Sequence, residues 1–125
     1  MLQPRGVLRL SFPDASRVSE LPFRDLLSYA DMLERKGVLR AADKSDALIR
    51  RSCMRAVLTE WGHVSAWNQD LAWCVLTMVG FELVHFPRYG ESVFAELRDI
   101  DGHHHAHNVG AAAQLETTVV EAVKR

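Results

Sequence analysis

The chain lacks any stretch apolar enough to cross a bilayer. Near its apolar peak, Leu71 to Phe81 runs eleven residues without an acidic or basic side chain, between Asp70 and Glu82, about half the length of a spanning helix. Met1 to Gly6 holds no apolar run of signal-peptide length, and Arg9, Asp14 and Arg17 interrupt the next dozen residues, so export is not expected. Cysteine is scarce. Cys53 and Cys74 both sit in apolar stretches, which excludes a disulfide framework and suits buried, reduced thiols in a cytoplasmic protein. The seven glycines, at 6, 37, 62, 80, 90, 102 and 110, are isolated, so there is neither a phosphate-cradling loop nor a dinucleotide fingerprint. G-x-S-x-G, H-E-x-x-H and C-x-x-C are all missing. Without them the expectation leans away from an enzyme, although a carboxylate pair assembled by the fold, such as Glu60 with Asp70, stays open. Charge of one sign is missing too: 15 Lys and Arg stand against 16 Asp and Glu, a formal charge of −1.

What is present is an ordinary apolar share, 48% of 125 residues, enough for one compact domain spanning residues 1–125 with a core that needs no metal or disulfide staple. Residues 7–12 alternate, with Leu8, Leu10 and Phe12 on one side and Arg9 and Ser11 on the other, and predict a strand stopped by Pro13. Ser19 predicts a helix cap, with Pro22 in the first turn, Phe23, Leu26, Leu27, Ala30 and Leu33 as the apolar stripe, and Gly37 as the stop. Ser45 predicts a second cap, for a helix to about Trp61 whose stripe is Ile49, Cys53, Ala56 and Val57. Ser65 to Val79 reads as a third helix, apolar on almost every side from Leu71 onward and therefore central, covered within the monomer or across a two-fold interface in a homodimer. Phe81 to Phe86 and Ser92 to Arg98 read as a hairpin around Pro87–Glu91. Asp99 to His107 reads as a polar loop, and Asn108 as the cap of a last helix with Ala112, Leu115, Val119 and Ala122 on one face, against the β-branched run at 117–120. The expected fold is a small α+β domain of three to four helices with an antiparallel sheet made of an N-terminal strand and a C-terminal hairpin.

Two surface features stand out. Residues 35 to 55 hold seven basic side chains against two acidic ones, a balance of +5, whereas 56 to 87 contain no Lys or Arg. Lys44, Arg50, Arg51 and Arg55 fall on or beside the second helix and form the leading partner-binding face, since arginine forks hold carboxylates or phosphates. An acidic protein partner is favoured over DNA, and the compact, charge-asymmetric chain fits a small regulatory or inhibitor protein. The second feature is the histidine run. His103, His105 and His107 project to one side of an extended chain, near Asp99 and Asp101, and could hold a divalent metal such as zinc. The plainer reading is a solvated loop, and protonation of all six histidines would carry the whole chain from −1 to +5.

The order of helices followed by a hairpin resembles winged-helix DNA-binding domains. That resemblance implies a DNA-binding regulator with its reading helix at 66–79. Here that helix carries Trp67, Leu71, Trp73, Val75 and Leu76 and no Lys or Arg, so contacts to DNA would fall to the basic second helix. Trp61, Trp67 and Trp73 stand six apart, which is no helical face, and read as core residues, with Trp67 a candidate exposed anchor. Cys53 with His63, or Cys74 with His85, would make a nucleophile–base pair only if the fold brought them together.

Overall fold

The computed structural model describes residues 2–39, 45–60, 65–101 and 114–125. Its elements are β1 (Val7–Pro13), α1 (Ala15–Glu20), α2 (Phe23–Arg35), α3 (Asp46–Thr59), α4 (Gln69–Met78), β2 (Phe81–His85), a single 3₁₀ turn (Ala95–Leu97) and β3 (Thr117–Lys124). The three strands form one antiparallel sheet in the order β1-β3-β2. This is a small α+β fold.

The alternation at the N-terminus produces β1 within one residue of expectation, and Pro13 is tolerated at its end because β1 is an edge strand. The chain then turns a corner at Asp14. The side chain of Asp14, 1% exposed, caps α1 by accepting from the Ser16 backbone N–H at 2.9 Å, and its other oxygen accepts from the Thr118 hydroxyl of β3 at 2.8 Å. Asp14, rather than Ser19, is therefore the first helix cap. Ser19 lies inside α1, and α2 starts after Pro22, whose fixed φ and missing N–H suit a helix start.

The stripe read for α3 is the observed one: Ile49, Cys53, Ala56 and Val57 are all buried, against Leu26, Tyr29, Ala30 and Leu33 of α2 and Val18 of α1. Burial pushes the Cys53 thiol up to about 11, against a smaller opposite pull from Arg50. Tyr29 is fully buried and donates its hydroxyl to Glu116. Burial, and then the neighbouring negative charge, hold its phenol above the ordinary value.

The remaining expectations change. The last segment divides: the expected Asn108 cap and Ala112 lie outside the described residues, 114–116 are helical, and Thr117–Lys124 is a strand. Thr117, Thr118, Val119 and Val120 prefer extended backbone because their branched Cβ atoms crowd a helical turn, and β3 finds a pairing partner on each side. The expected hairpin does not form either, since β2 pairs with β3 and residues 92–98 satisfy their backbone locally. The Ser92 hydroxyl accepts from the Phe94 N–H at 2.9 Å, Arg98 Nε donates to the Ser92 carbonyl at 3.1 Å, and the Asp99 N–H donates to the Gly90 carbonyl at 3.0 Å. Finally, α4 begins at Asn68, whose side chain accepts from the Leu71 N–H at 2.9 Å. It is not central. Ala72 and Leu76 are buried against Phe81, Val120 and Ala122, while Leu71, Trp73 and Met78 are exposed.

Candidate functional site

The basic face is carried by α3, and the structure divides its four expected members. Lys44 lies outside the described residues. Arg50 turns inward: its Nη1 donates to the carbonyls of Ser19 and Leu21, both at 2.9 Å, and its Nη2 reaches Asp46 at 2.8 Å. This guanidinium ties the α1–α2 corner to α3. Arg51 and Arg55, one helical turn apart, are exposed and have no side-chain hydrogen-bond partner among the described residues. Together with Arg50 they border an open, shallow apolar patch on the α3 surface, made by Ala47, Met54 and Leu58. Leu58 is 41% exposed.

The structure also assembles a cluster that sequence reasoning missed. Arg9 of β1 stands directly opposite Glu121 of β3, and Glu121 stands opposite His85 of β2, so the three side chains make one row across a single face of the sheet. Arg9 holds Glu121 through Nη1 and Asp101 through Nη2, with Nε a further 3.2 Å from Asp101, and its Nη1 also donates to the Glu91 carbonyl at 2.9 Å. The side chains of Arg9, Asp101 and Glu121 are 3%, 5% and 0% exposed. Burial works against the charge on Arg9, but hydrogen bonds and attraction from the two carboxylates outweigh it and raise the guanidinium above its ordinary value. Tyr89 donates to the Asp101 carbonyl. Burial, then the Asp101 charge, raise its phenol, while Arg9 pulls the other way.

His85 closes the row. Its Nε2 lies 3.0 Å from Glu121 Oε2 without hydrogen-bond alignment, and its Nδ1 stands 3.1 Å from the Leu83 carbonyl. A bulge places it there: the three steps along β2 from Glu82 to His85 match only the two steps of β3 from Val123 to Glu121, and Leu83 takes a φ of 51° to make room. With Nε2 buried and Nδ1 engaged by a carbonyl, the ring offers no nitrogen to a substrate. Arg9 in turn fills the space between the two carboxylates. The row is a structural ion cluster.

The other candidates separate. Cys53 is buried and, being pushed to about 11, is a poor nucleophile at neutral pH; His63 lies outside the described residues. Cys74 is exposed on α4, contrary to the buried thiol expected, and its sulfur lies 3.8 Å from that of Met78 rather than on His85. Trp61 also lies outside the described residues. Trp67 is the packed tryptophan, 6.1 Å from the Phe12 ring, and Trp73 is the exposed one at 55%. His103, His105 and His107 lie outside the described residues, among which no group of His, Cys, Asp or Glu could hold a metal. No helix among them is long and apolar enough to cross a membrane.

The signal for the buried row was present as Arg9 in an alternating strand and Glu121 in an otherwise uncharged run from Thr117 to Val123. It became readable only once that run was known to be a strand paired with β1. Compared with known protein families, curated proteins and solved structures, the chain matches none.

Proposed function

We propose that the protein is a non-catalytic binding protein whose α3 face takes an acidic, amphipathic segment of a protein partner. The observation that carries this reading is the pairing of two exposed guanidinium groups, Arg51 and Arg55, with the shallow apolar patch of Ala47, Met54 and Leu58 on the same helix face. Carboxylates on the ligand would meet the arginine forks, and a ligand leucine or similar side chain would lie against the apolar patch. A phosphate backbone would use the arginines but leave the apolar patch unmatched, which favours a protein over DNA. Cys53 and Cys74 are both unpaired thiols, Cys74 exposed, and this suits a reducing compartment; we place the protein in the cytoplasm.

The test is fluorescence anisotropy with two labelled probes, a glutamate-rich helical peptide bearing leucines one turn apart and a mixed-sequence duplex DNA. The expected result is saturable peptide binding that falls about tenfold or more, about 1.4 kcal/mol, in the Arg51→Glu/Arg55→Glu variant, and more modestly in Leu58→Ser. Peptide binding that ignores both variants would remove α3 as the contact surface. Duplex binding that weakens steeply with salt and disappears in the double variant would replace this reading with a DNA-binding one.

A further inference from the structure

Antiparallel pairing with β3 fixes where each backbone group of β1 points. At one end of the ladder the Asp14 N–H donates to the Glu116 carbonyl, and at the other the Lys124 N–H donates to the Gly6 carbonyl, both at 2.8 Å. Such pairs recur every second residue, so Leu8, Leu10 and Phe12 bond to Ala122, Val120 and Thr118, while the N–H and carbonyl groups of Val7, Arg9 and Ser11 point away from β3. No described residue bonds to those outward groups.

A free edge is ordinarily blunted by an exposed charge, a bulge or an internal proline. β1 has none of these. Its register is unbroken from Val7 to Pro13, the proline is its last residue, and its one charged side chain, Arg9, is turned onto Asp101 and Glu121. The other edge of the sheet, β2, does carry a bulge, between Glu82 and His85. Beside the β1 edge Leu10 is 42% exposed and lines a shallow apolar crevice with Phe12, Trp67 and Val75.

A ladder of bare N–H and carbonyl groups is matched by another extended backbone, not by a phosphate chain or a lipid surface. The sequence of β1 decides which strand fits, because it is complementary to itself about Leu10. Laid antiparallel on a second copy with Leu10 opposite Leu10, β1 sets Leu8 opposite the partner's Phe12, so all three apolar side chains of each strand pair on one face. On the other face Arg9 falls opposite the partner's Ser11. The neighbouring registers are poorer: one sets Arg9 opposite Arg9, and the other sets Leu8 opposite the partner's Asp14.

We infer that β1 pairs antiparallel with β1 of a second copy of this chain, with Leu10 opposite Leu10, and joins the two three-stranded sheets into one. The Arg9 N–H and carbonyl exchange bonds with those of the partner's Ser11, and the Val7 N–H donates to the partner's Pro13 carbonyl. The bulged β2 edge stops growth at two copies. A seven-residue strand buries less than the ~800 Å² per partner of a standard interface, so the dimer is concentration-dependent.

Sedimentation velocity on the full chain, from low micromolar to sub-millimolar, should show the mass rising from 14.1 kDa toward twice that value and no further. Ser11→Pro removes an N–H that points away from β3, as an edge strand tolerates, and should weaken the dimer about tenfold or more. Leu10→Lys sets two ammonium groups opposite each other and should weaken it at least as much. Urea unfolding confirms that both variants fold. Hydrogen exchange gives the residue-level readout, with the Arg9 and Ser11 amides slowing as concentration rises. Oxidation with diamide reads the register in a Cys74→Ser background, where buried Cys53 does not compete. Two thiols introduced by Leu10→Cys join as a disulfide, and their two electrons and two protons pass to the diamide, which becomes the hydrazine. Directly opposed Cα atoms in such a pair are about 4.5 Å apart. Ser11→Cys sets its thiols diagonally, with Cα atoms beyond the ~7 Å limit for a disulfide, and should cross-link about tenfold more slowly. A chain that stays monomeric over the whole range would overturn the inference, as would a dimer indifferent to both Ser11→Pro and Leu10→Lys, or growth beyond two copies. Equal cross-linking by Leu10→Cys and Ser11→Cys would reject it too. So would Arg9 and Ser11 amides protected at every concentration, since a segment of the same chain would then hold the edge.

Discussion

The two faces of one small sheet bury their central strand by opposite means. On one face Val120 and Ala122 of β3 lie under Ala72 and Leu76 of α4, and contact is the only requirement. On the other, Glu121 is fully buried between the same two residues in sequence, and Arg9, Asp101 and His85 from three other segments stand around it. Apolar contacts weaken by degrees when an atom is removed. Buried charges hold as a set or fail as a set, because a carboxylate that loses its cation keeps the whole desolvation penalty.

That difference gives the largest expected effect. Arg9→Met leaves Asp101 and Glu121 inside the protein without their shared cation, and should lower stability by about 3 to 5 kcal/mol, measured by urea unfolding. For a domain whose total is about 5 to 15 kcal/mol, this is a large part of the margin. Arg9→Met/Glu121→Met should recover part of the loss, since it removes one of the two stranded carboxylates along with their cation, while Asp101 stays stranded. A single-variant loss below about 1 kcal/mol would mean that the row is solvated and contributes no more than a surface pair.

The apolar face supplies the control. Leu76→Ala should lose about 2 to 3 kcal/mol, the lower part of the usual range for a buried leucine, because α4 is short and exposed on its far side and can settle toward the sheet. No second substitution on β3 should restore what Leu76→Ala removes. If Leu76→Ala were as damaging as Arg9→Met and equally open to rescue, the contrast between the faces would fall.

The same contrast explains what could be read from the sequence. The stripe of α3 was legible because Ile49, Cys53, Ala56 and Val57 recur at the helical period with polar residues between them, so period and burial agree. In α4 the period carried no information: with apolar residues on almost every side, nothing local says that Ala72 and Leu76 face inward and Leu71 and Met78 outward. Of the four residues read at helical spacing, Leu115 lies in a helical turn at 114–116 and Ala112 lies outside the described residues, whereas Val119 and Ala122 matched that spacing by chance; for them the β-branched run at 117–120, which had the opposite preference, was the better guide. The buried row depended on that one assignment, since Arg9 meets Glu121 only through strand register. The basic face was half legible. Clustered charge pointed to Arg50, Arg51 and Arg55, but the inward turn of Arg50 depends on the carbonyls of Ser19 and Leu21, some thirty residues earlier in the chain. No local pattern reports such a contact.

The smallest effect concerns the residue that decides which side chain faces Glu121. Without the bulge in β2, Val84 would stand opposite Glu121, and His85 would point to the other face of the sheet. Leu83 makes the bulge with a φ of 51°, a conformation that crowds the Cβ of any ordinary side chain, and it is 73% exposed, so it gains little packing in return. Asparagine enters this backbone region more readily because its short polar side chain can bond locally. Leu83→Asn should therefore keep the His85–Glu121 pairing and raise stability by about 0.5 to 1 kcal/mol, of the order seen when backbone preference and native conformation are brought into agreement. Urea unfolding measures the gain, and the His85 ring resonances in an NMR spectrum report whether the ring has stayed beside Glu121. A loss of stability with His85 unmoved would show that the Leu83 side chain supports the sheet after all. A displaced His85 would show that the leucine itself, and not merely a residue with positive φ, sets the register of the charged face.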